Sequence, residues 1–225
     1  MPDGQETLRV EITKDGPYRV HGGAALVRTA QVETEYGEPV DWEPDDPIET
    51  QTTAYDLCRC GNSSRKPFCD STHERIPFDG TEVAARTTYD ERAYPYRGGE
   101  LTMNDDVSVC TKAGYCGDRF RNVWAMIIDA ADPAVAERIR VMSKLCPSGR
   151  LVTQPDGAAE PDEIDYPPAV AVIENGPIWV RGGIQVVSAD GTGYEVRNRQ
   201  TLCRCGHSQN KPFCDGSHKE FGFEG

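Results

Sequence analysis

No stretch of this sequence approaches the ~18 consecutive apolar residues that a membrane helix needs, and only 37% of its residues are hydrophobic. A membrane-spanning helix is therefore not expected, and 225 residues so poor in apolar side chains suit small modules better than one large core. Positive charge is also scarce: 24 basic residues stand against 37 acidic ones, a net charge of −13. Nucleic-acid phosphate selects basic faces, so no nucleic-acid partner is expected. An acidic surface fits instead a redox or cluster-acceptor protein with a basic docking face. No dinucleotide fingerprint, P-loop, H-E-x-x-H or G-x-S-x-G site is present, so the chain is expected to have no substrate site of its own. The N-terminal residues, Met-Pro-Asp-Gly-Gln-Glu-Thr, lack the apolar run of a secretory signal. The nine cysteines are odd in number, and most fall in triplets followed by a histidine, which argues against a disulfide framework. These features together predict a reducing compartment, the cytoplasm of a bacterium.

What the sequence does have is one stretch written twice. Cys58-Arg-Cys60-Gly-Asn-Ser-Ser-Arg-Lys-Pro-Phe-Cys69-Asp-Ser-Thr-His73 returns as Cys203-Arg-Cys205-Gly-His-Ser-Gln-Asn-Lys-Pro-Phe-Cys214-Asp-Gly-Ser-His218. Both read C-x-C-x8-C-x3-H. Three thiolates and an imidazole complete a four-coordinate ligand set within a short loop, so little chain has to be ordered to close the site. A β unit precedes each copy. Residues 8–13 alternate apolar and polar as a half-buried strand does; Asp15-Gly16-Pro17, a short strand and Gly22-Gly23 follow. Ala169 to Ile173, Asn175-Gly176-Pro177, Ile178 to Arg181 and Gly182-Gly183 repeat the phrase.

The first copy is the longer. Its surplus, residues 33–51, carries Glu35, Glu38, Asp41, Glu43, Asp45, Asp46 and Glu49 with no basic residue, and reads as a solvated loop. After His73 and the run Ile76-Pro-Phe78-Asp-Gly80, residues 81–100 read as a polar connector. Residues 117–129 place Phe120, Val123, Trp124, Ile127 and Ile128 at helical spacing. Asp132-Pro133 reads as an N-cap with proline at the first helical position, opening a helix whose stripe is Val135, Ile139, Met142 and Leu145. Residues 154–168 read as a linker.

The ligand spacing bears on the metal. Zinc fingers usually separate their cysteines by two to four residues; here the pairs are C-x-C and C-x3-H. One pair per iron of a two-iron cluster divides them naturally, with Cys58 and Cys60 on one iron and Cys69 and His73 on the other. A Rieske centre would need two histidines on one iron, and each loop offers one in register. His207 has Asn62 as its counterpart; it and His21 read as ordinary histidines. A zinc-stabilised interaction module, with one ion per loop, is the alternative.

Both loops resemble the CDGSH iron-sulfur domain of NEET-type proteins, whose pattern is C-x-C-x2-S-x3-P-[FL]-C-D-G-S-H. The second copy matches through Cys214-Asp215-Gly216-Ser217-His218; the first departs at Ser71-Thr72. The resemblance implies a [2Fe-2S] cluster in each copy, held by Cys58, Cys60, Cys69 and His73 and by Cys203, Cys205, Cys214 and His218. It also implies that the repeats dock on each other as an intramolecular pseudo-dimer. Lys66 and Lys211 stand where positive charge would raise a cluster's potential, and Asp70 and Asp215 where a carboxylate would cap the turn presenting the histidine. If Gly216 takes a positive φ, Ser71 must accept the same conformation with some strain.

Between the repeats lie Cys110-Thr-Lys-Ala-Gly-Tyr-Cys116 and Cys146-Pro147. This segment resembles divergent mono-cluster ferredoxins, with Ala113 where the second cysteine of C-x2-C-x2-C would stand. Three thiolates at Cys110, Cys116 and Cys146 fit a [3Fe-4S] cluster; a [4Fe-4S] form would need another ligand, such as Lys112 or Asp118. Without metal, Cys110 and Cys116 could form a reversible disulfide. The expected fold is α+β: small β-rich, metal-stabilised modules with short helices, divided at 1–80, 81–155 and 156–225. The expected function is electron transfer or cluster storage and transfer, either alone or as a subunit of a larger oxidoreductase.

Overall fold

The computed structural model describes residues 7–225; residues 1–6, which make up most of the N-terminal segment read for a secretory signal, lie outside the described residues. The first repeat forms β1 (Arg9–Ile12), β2 (Tyr18–His21), β3 (Ala25–Thr29), β4 (Gln31–Glu33), β5 (Pro39–Trp42), β6 (Asp46–Pro47) and β7 (Tyr55–Leu57). The middle segment forms α1 (Tyr89–Arg92), β8 (Tyr94–Gly98), β9 (Leu101–Asp105), α2 (Val123–Met126), α3 (Pro133–Lys144) and β10 (Leu151–Pro155). The second repeat forms β11 (Ala169–Ile173), β12 (Ile178–Arg181), β13 (Gln185–Val187), β14 (Arg199–Leu202) and α4 (Ser217–Glu220). Small sheets and short helices make this an α+β fold.

The two repeats exchange strands. One sheet has the order β13-β1-β2-β7 and the other β14-β12-β11-β3-β6, so the third strand of each repeat joins the sheet of the other. Both crossings are parallel and in equivalent register, Val10 beside Val186 and Val170 beside Leu26. The Gly22-Gly23 and Gly182-Gly183 turns, all at positive φ, redirect the chain into the neighbouring sheet. One apolar core fills the space between the sheets, with Val10, Ile12, Tyr18, Val20 and Leu26 from one repeat and Val170, Val172, Ile178, Val180 and Val186 from the other. The repeats therefore do not bury separate small cores; each completes the other's.

The outer faces of the two sheets differ. β1 alternates buried and half-buried residues as its pattern predicts, whereas every residue of β11 and β12 is buried. The cover is the acidic surplus. Residues 33–51 are solvated as expected, none of them buried, but they are not all loop: β4 and β5 form a hairpin that carries Trp42 onto Trp179, ring centres 5.0 Å apart, and onto Tyr115 at 5.1 Å. The Trp42 indole N–H donates to the Leu145 carbonyl, Gln31 donates to the Ala113 carbonyl, and the Tyr115 hydroxyl donates to that of Asp41. The half-buried tryptophan and these hydrogen bonds anchor the hairpin despite its acidic composition. The hairpin clamps the middle segment to the repeats.

The middle segment has its own core of Leu101, Met103, Val123, Met126, Ile127, Ala130, Ile139 and Leu151, under the sheet β10-β9-β8. Asp132 caps α3 as its sequence predicts, its carboxylate accepting from the Ala134 N–H with Pro133 at the first helical position. Residues 117–129 are helical only from Val123, continuing as a 3-10 turn over Ile127–Asp129, and Phe120 and Ile128 are exposed. The polar connector at 81–100 also has more structure than its composition suggests: it holds α1 and β8. Val83 and Ala84 donate backbone N–H groups to Lys211 O, and Glu82 accepts from Tyr194 and Ser188 of the second repeat.

Candidate metal centres

In each loop the four sulfur and nitrogen atoms come together as two pairs. The Sγ atoms of Cys58 and Cys60 are 3.8 Å apart, and Cys69 Sγ is 3.4 Å from His73 Nδ1. The second loop repeats the values, 3.8 Å for Cys203 and Cys205 and 3.4 Å for Cys214 and His218 Nδ1. Local chain geometry produces this. A strand end, β7 or β14, delivers the first cysteine; a glycine at positive φ, Gly61 or Gly206, turns the chain back; and a single helical turn lifts the histidine above the third cysteine. The Lys-Pro peptide bond inside each loop is cis.

The thiols are poised for a cation. The Cys60 thiol is pushed far up by the neighbouring Cys58 sulfur and by burial, while the Cys60 S–H pulls Cys58 down; Cys203 and Cys205 behave alike. Two thiolates this close cannot both lose their protons unless positive charge replaces them. Burial raises Cys214 well above its ordinary value and holds His218 down to about 4, with Lys219 and Arg204 adding to the depression. A neutral imidazole nitrogen facing a sulfur is the form that binds metal. Among the described residues, no three Cys, His, Asp or Glu side chains gather as they would around a single ion.

Asp70 and Asp215 cap the turns that present the histidines. Asp70 accepts from the Ser64 N–H and hydroxyl and the Thr72 N–H, and these bonds hold its carboxyl well below the usual carboxylate range. Asp215 accepts from Gln209 N–H at 2.8 Å, Ser217 N–H at 2.9 Å and the Ser217 hydroxyl at 2.6 Å. Burial raises Asp215, but these hydrogen bonds outweigh it and lower its pKa. Gly216 has φ 85° and Ser71 φ 63°, so both copies use the left-handed conformation and the first places a serine in it. Lys66 reaches across to the other repeat, its Nζ 5.8 Å from the Phe223 ring centre. Lys211 holds residues 83 and 84 through its carbonyl, and its charge lowers Cys203. His21 stands 3.1 Å from a Glu11 carboxylate oxygen and His207 stacks on Phe221, so neither enters a loop's ligand set.

Sequence reasoning missed the residue between the first two cysteines. Arg59 and Arg204 are buried, and each ties its loop to the turn of its own β unit. Arg59 donates to the carbonyls of Thr13 and Gly80, Arg204 to those of Gly176 and Ile173. Phe78 and Phe223, which follow the loops, lie over these guanidinium groups at 5.7 and 5.0 Å rather than over the sulfurs. The only available signal was that C-Arg-C recurs unchanged. The loops also meet. A Cβ on Gly61 would fall 2.4 Å from Cys205 O, and one on Gly206 2.7 Å from Cys60 O, so glycine is required where the backbones touch. The Tyr18 hydroxyl, from the first repeat, donates to the carbonyls of Cys203 and Pro212.

Cys110, Cys116 and Cys146 are free, half-buried thiols. They are near enough to act on one another: burial raises Cys116 first, and the charges of Cys146 and Cys110 raise it further. Arg150, bonded to Asp105, is held charged beside Cys110; its burial opposes this but is outweighed. The two residues offered as a fourth ligand are otherwise engaged. Lys112 pairs with Glu220, and Asp118 pairs with Arg138 while capping the N–H groups of Phe120 and Arg121. Ala113, where a second cysteine would stand, contributes only its carbonyl, to Gln31.

Comparison with known proteins finds two family models along the chain. The family model described as iron-binding zinc finger, CDGSH type, matches residues 15–74 and again 175–219. A second model, divergent 4Fe-4S mono-cluster, matches residues 96–155. No curated protein and no solved structure matches the chain. No helix among the described residues is long and apolar enough to cross a membrane. The chain is thus an iron-sulfur-binding protein in which two CDGSH-type segments flank a divergent mono-cluster segment.

Proposed function

We propose that each CDGSH loop holds a [2Fe-2S] cluster, that Cys110, Cys116 and Cys146 hold a [3Fe-4S] cluster, and that the chain carries electrons between partner proteins. The observation that carries this reading is the pairing of ligands in both loops. Two sulfurs bound to one tetrahedral metal at ~2.3 Å stand about 3.8 Å apart, the separation seen in both C-x-C pairs. Both loops lie in segments matched by an iron-binding family model, which supports iron over zinc. For the middle site, the engagement of Lys112 and Asp118 elsewhere leaves three thiolates and favours three irons over four. Such clusters, when bound, supply reversible one-electron chemistry.

The chain's own residues shield the second loop most completely. Cys203, Cys205, Cys214 and His218 are all buried, which favours retention over donation of the second cluster. The repeats act as an intramolecular pseudo-dimer, each closing the other's core, and the acidic surface recruits a basic-faced redox partner. The test is transfer from the anaerobically reduced, full-length protein to two acceptors: an oxidised haem protein with a basic face, and a cluster-free ferredoxin. Electron transfer predicts rapid haem reduction that slows with added salt while the ferredoxin stays colourless. Rapid build-up of cluster in the ferredoxin would assign the protein to cluster delivery instead.

A further inference from the structure

The contacts between the three sites are unequal. The second CDGSH loop touches the middle segment at several points close to ligands of both. Asn210 donates to the carbonyl of Ser108, two residues before Cys110, at 2.8 Å. Lys112, two residues after Cys110, lies along the backbone of Gly216, between Cys214 and His218; a Cβ on Gly216 would fall 2.6 Å from Lys112 Cγ. Arg199, buried in the strand that delivers Cys203, donates to the carbonyl of Cys146 at 2.7 Å and to those of Ser143 and Lys144. Among the described residues, no hydrogen bond, ion pair or ring contact joins residues 58–73 to residues 96–155. The first loop meets the second instead, where Gly61 and Gly206 bring the two backbones together.

We infer that the three centres are wired in a fixed order, middle segment to second CDGSH loop to first CDGSH loop, with the second loop as the relay. This rests on the reading that these ligands hold redox clusters. In each hop one electron moves: the middle site is oxidised by one, the second loop is reduced by one and then passes that electron to the first, and no covalent bond changes. A low-potential one-electron carrier protein re-reduces the middle site, and the electron leaves from the first loop to an oxidised one-electron acceptor such as a haem protein, which is reduced by one; His73 and Cys69 are less buried there than their counterparts. The internal duplication thus does not make two equivalent centres. The hairpin of residues 31–42 holds the middle segment in place, but the ligands it sits beside are those of the second repeat.

The experiment is electron paramagnetic resonance on the intact, reduced protein, recording the relaxation of each [2Fe-2S] signal with the middle centre paramagnetic. The order predicts that one of the two signals relaxes severalfold faster than the other. A thiolate in place of imidazole shifts a cluster's signal and lowers its potential, so His218→Cys should move the fast-relaxing signal and His73→Cys the slow one. Should either substitution empty its loop, the surviving signal is scored in the same way. Equal relaxation of both signals, or movement of the fast signal by His73→Cys, overturns the order while leaving the clusters intact. A protein with no iron-sulfur signal overturns the underlying reading, and the order with it.

Discussion

Exchanging glycine and serine at one position of the two loops should have opposite consequences. Ser71 and Gly216 occupy the same place, both left-handed, at φ 63° and 85°. Left-handed backbone costs a non-glycine residue about 1–2 kcal/mol. Ser71→Gly removes that cost but loses about 0.5–1 kcal/mol to the greater freedom of glycine when unfolded. The first loop should therefore change little, gaining about 0.5 kcal/mol as the difference. Gly216→Ser incurs the conformational cost and also drives a Cβ into the Lys112 stem, 2.6 Å away. Displacing that stem from its place beside Glu220 adds about 1 kcal/mol. Less the same glycine freedom, the net is about 1.5 kcal/mol, which corresponds to roughly tenfold weaker retention of the second cluster. The assay is loss of each [2Fe-2S] signal from purified protein in graded denaturant, the two loops being separated by their resonance spectra. Matching effects in the two loops, or a neutral Gly216→Ser, would refute the claim that Lys112 makes glycine necessary in the second copy alone.

Acid should weaken the second loop. His218 is buried, and that burial holds it down to about 4. The sign follows from linkage: a histidine with a depressed folded pKa contributes fully above its ordinary 6.5 and loses that contribution as pH falls from there towards about 4. The second-loop signal recorded against pH checks this, and a signal that stays constant through that window counts against it. Asp215→Ala, which removes the acceptor for Gln209 and Ser217, should cost about 1–2 kcal/mol of second-loop stability by the same denaturant assay; no change would mean the cap is idle. Trp42→Ala should cost about 3 kcal/mol and raise hydrogen exchange at Tyr115 and Leu145 without touching β1 and β2. Uniform exchange across the chain would show that the hairpin is not a local clamp.

The ligand pairs were legible in the sequence because their geometry is local: residues two or four apart, set by one glycine and one helical turn. The cap on α3 was legible for the same reason, Asp132 and Pro133 acting on their immediate neighbours. The strand exchange was not, because β3 reads as a strand whichever sheet it enters; only the reciprocal Gly-Gly turns and the partner sheet decide its destination. Nor was the fate of residues 33–51. Their charge rightly suggested solvent, but it hid the contact of Trp42 with the middle segment; the carboxylates, apart from those paired with Arg119 and Arg181, remain outside. Arg59 and Arg204 illustrate a third limit. A charged residue between two ligands looks exposed until the carbonyls of the preceding turn fold back to receive it.

The central claim is that paired ligands hold two-iron clusters. The most direct measurement is iron, acid-labile sulfide and zinc per chain in anaerobically purified protein, with its visible spectrum. The account predicts about seven irons and about eight sulfides, two of each from each loop and three irons with four sulfides from the middle site, in a coloured protein without zinc. A colourless protein carrying about one zinc per loop would contradict it.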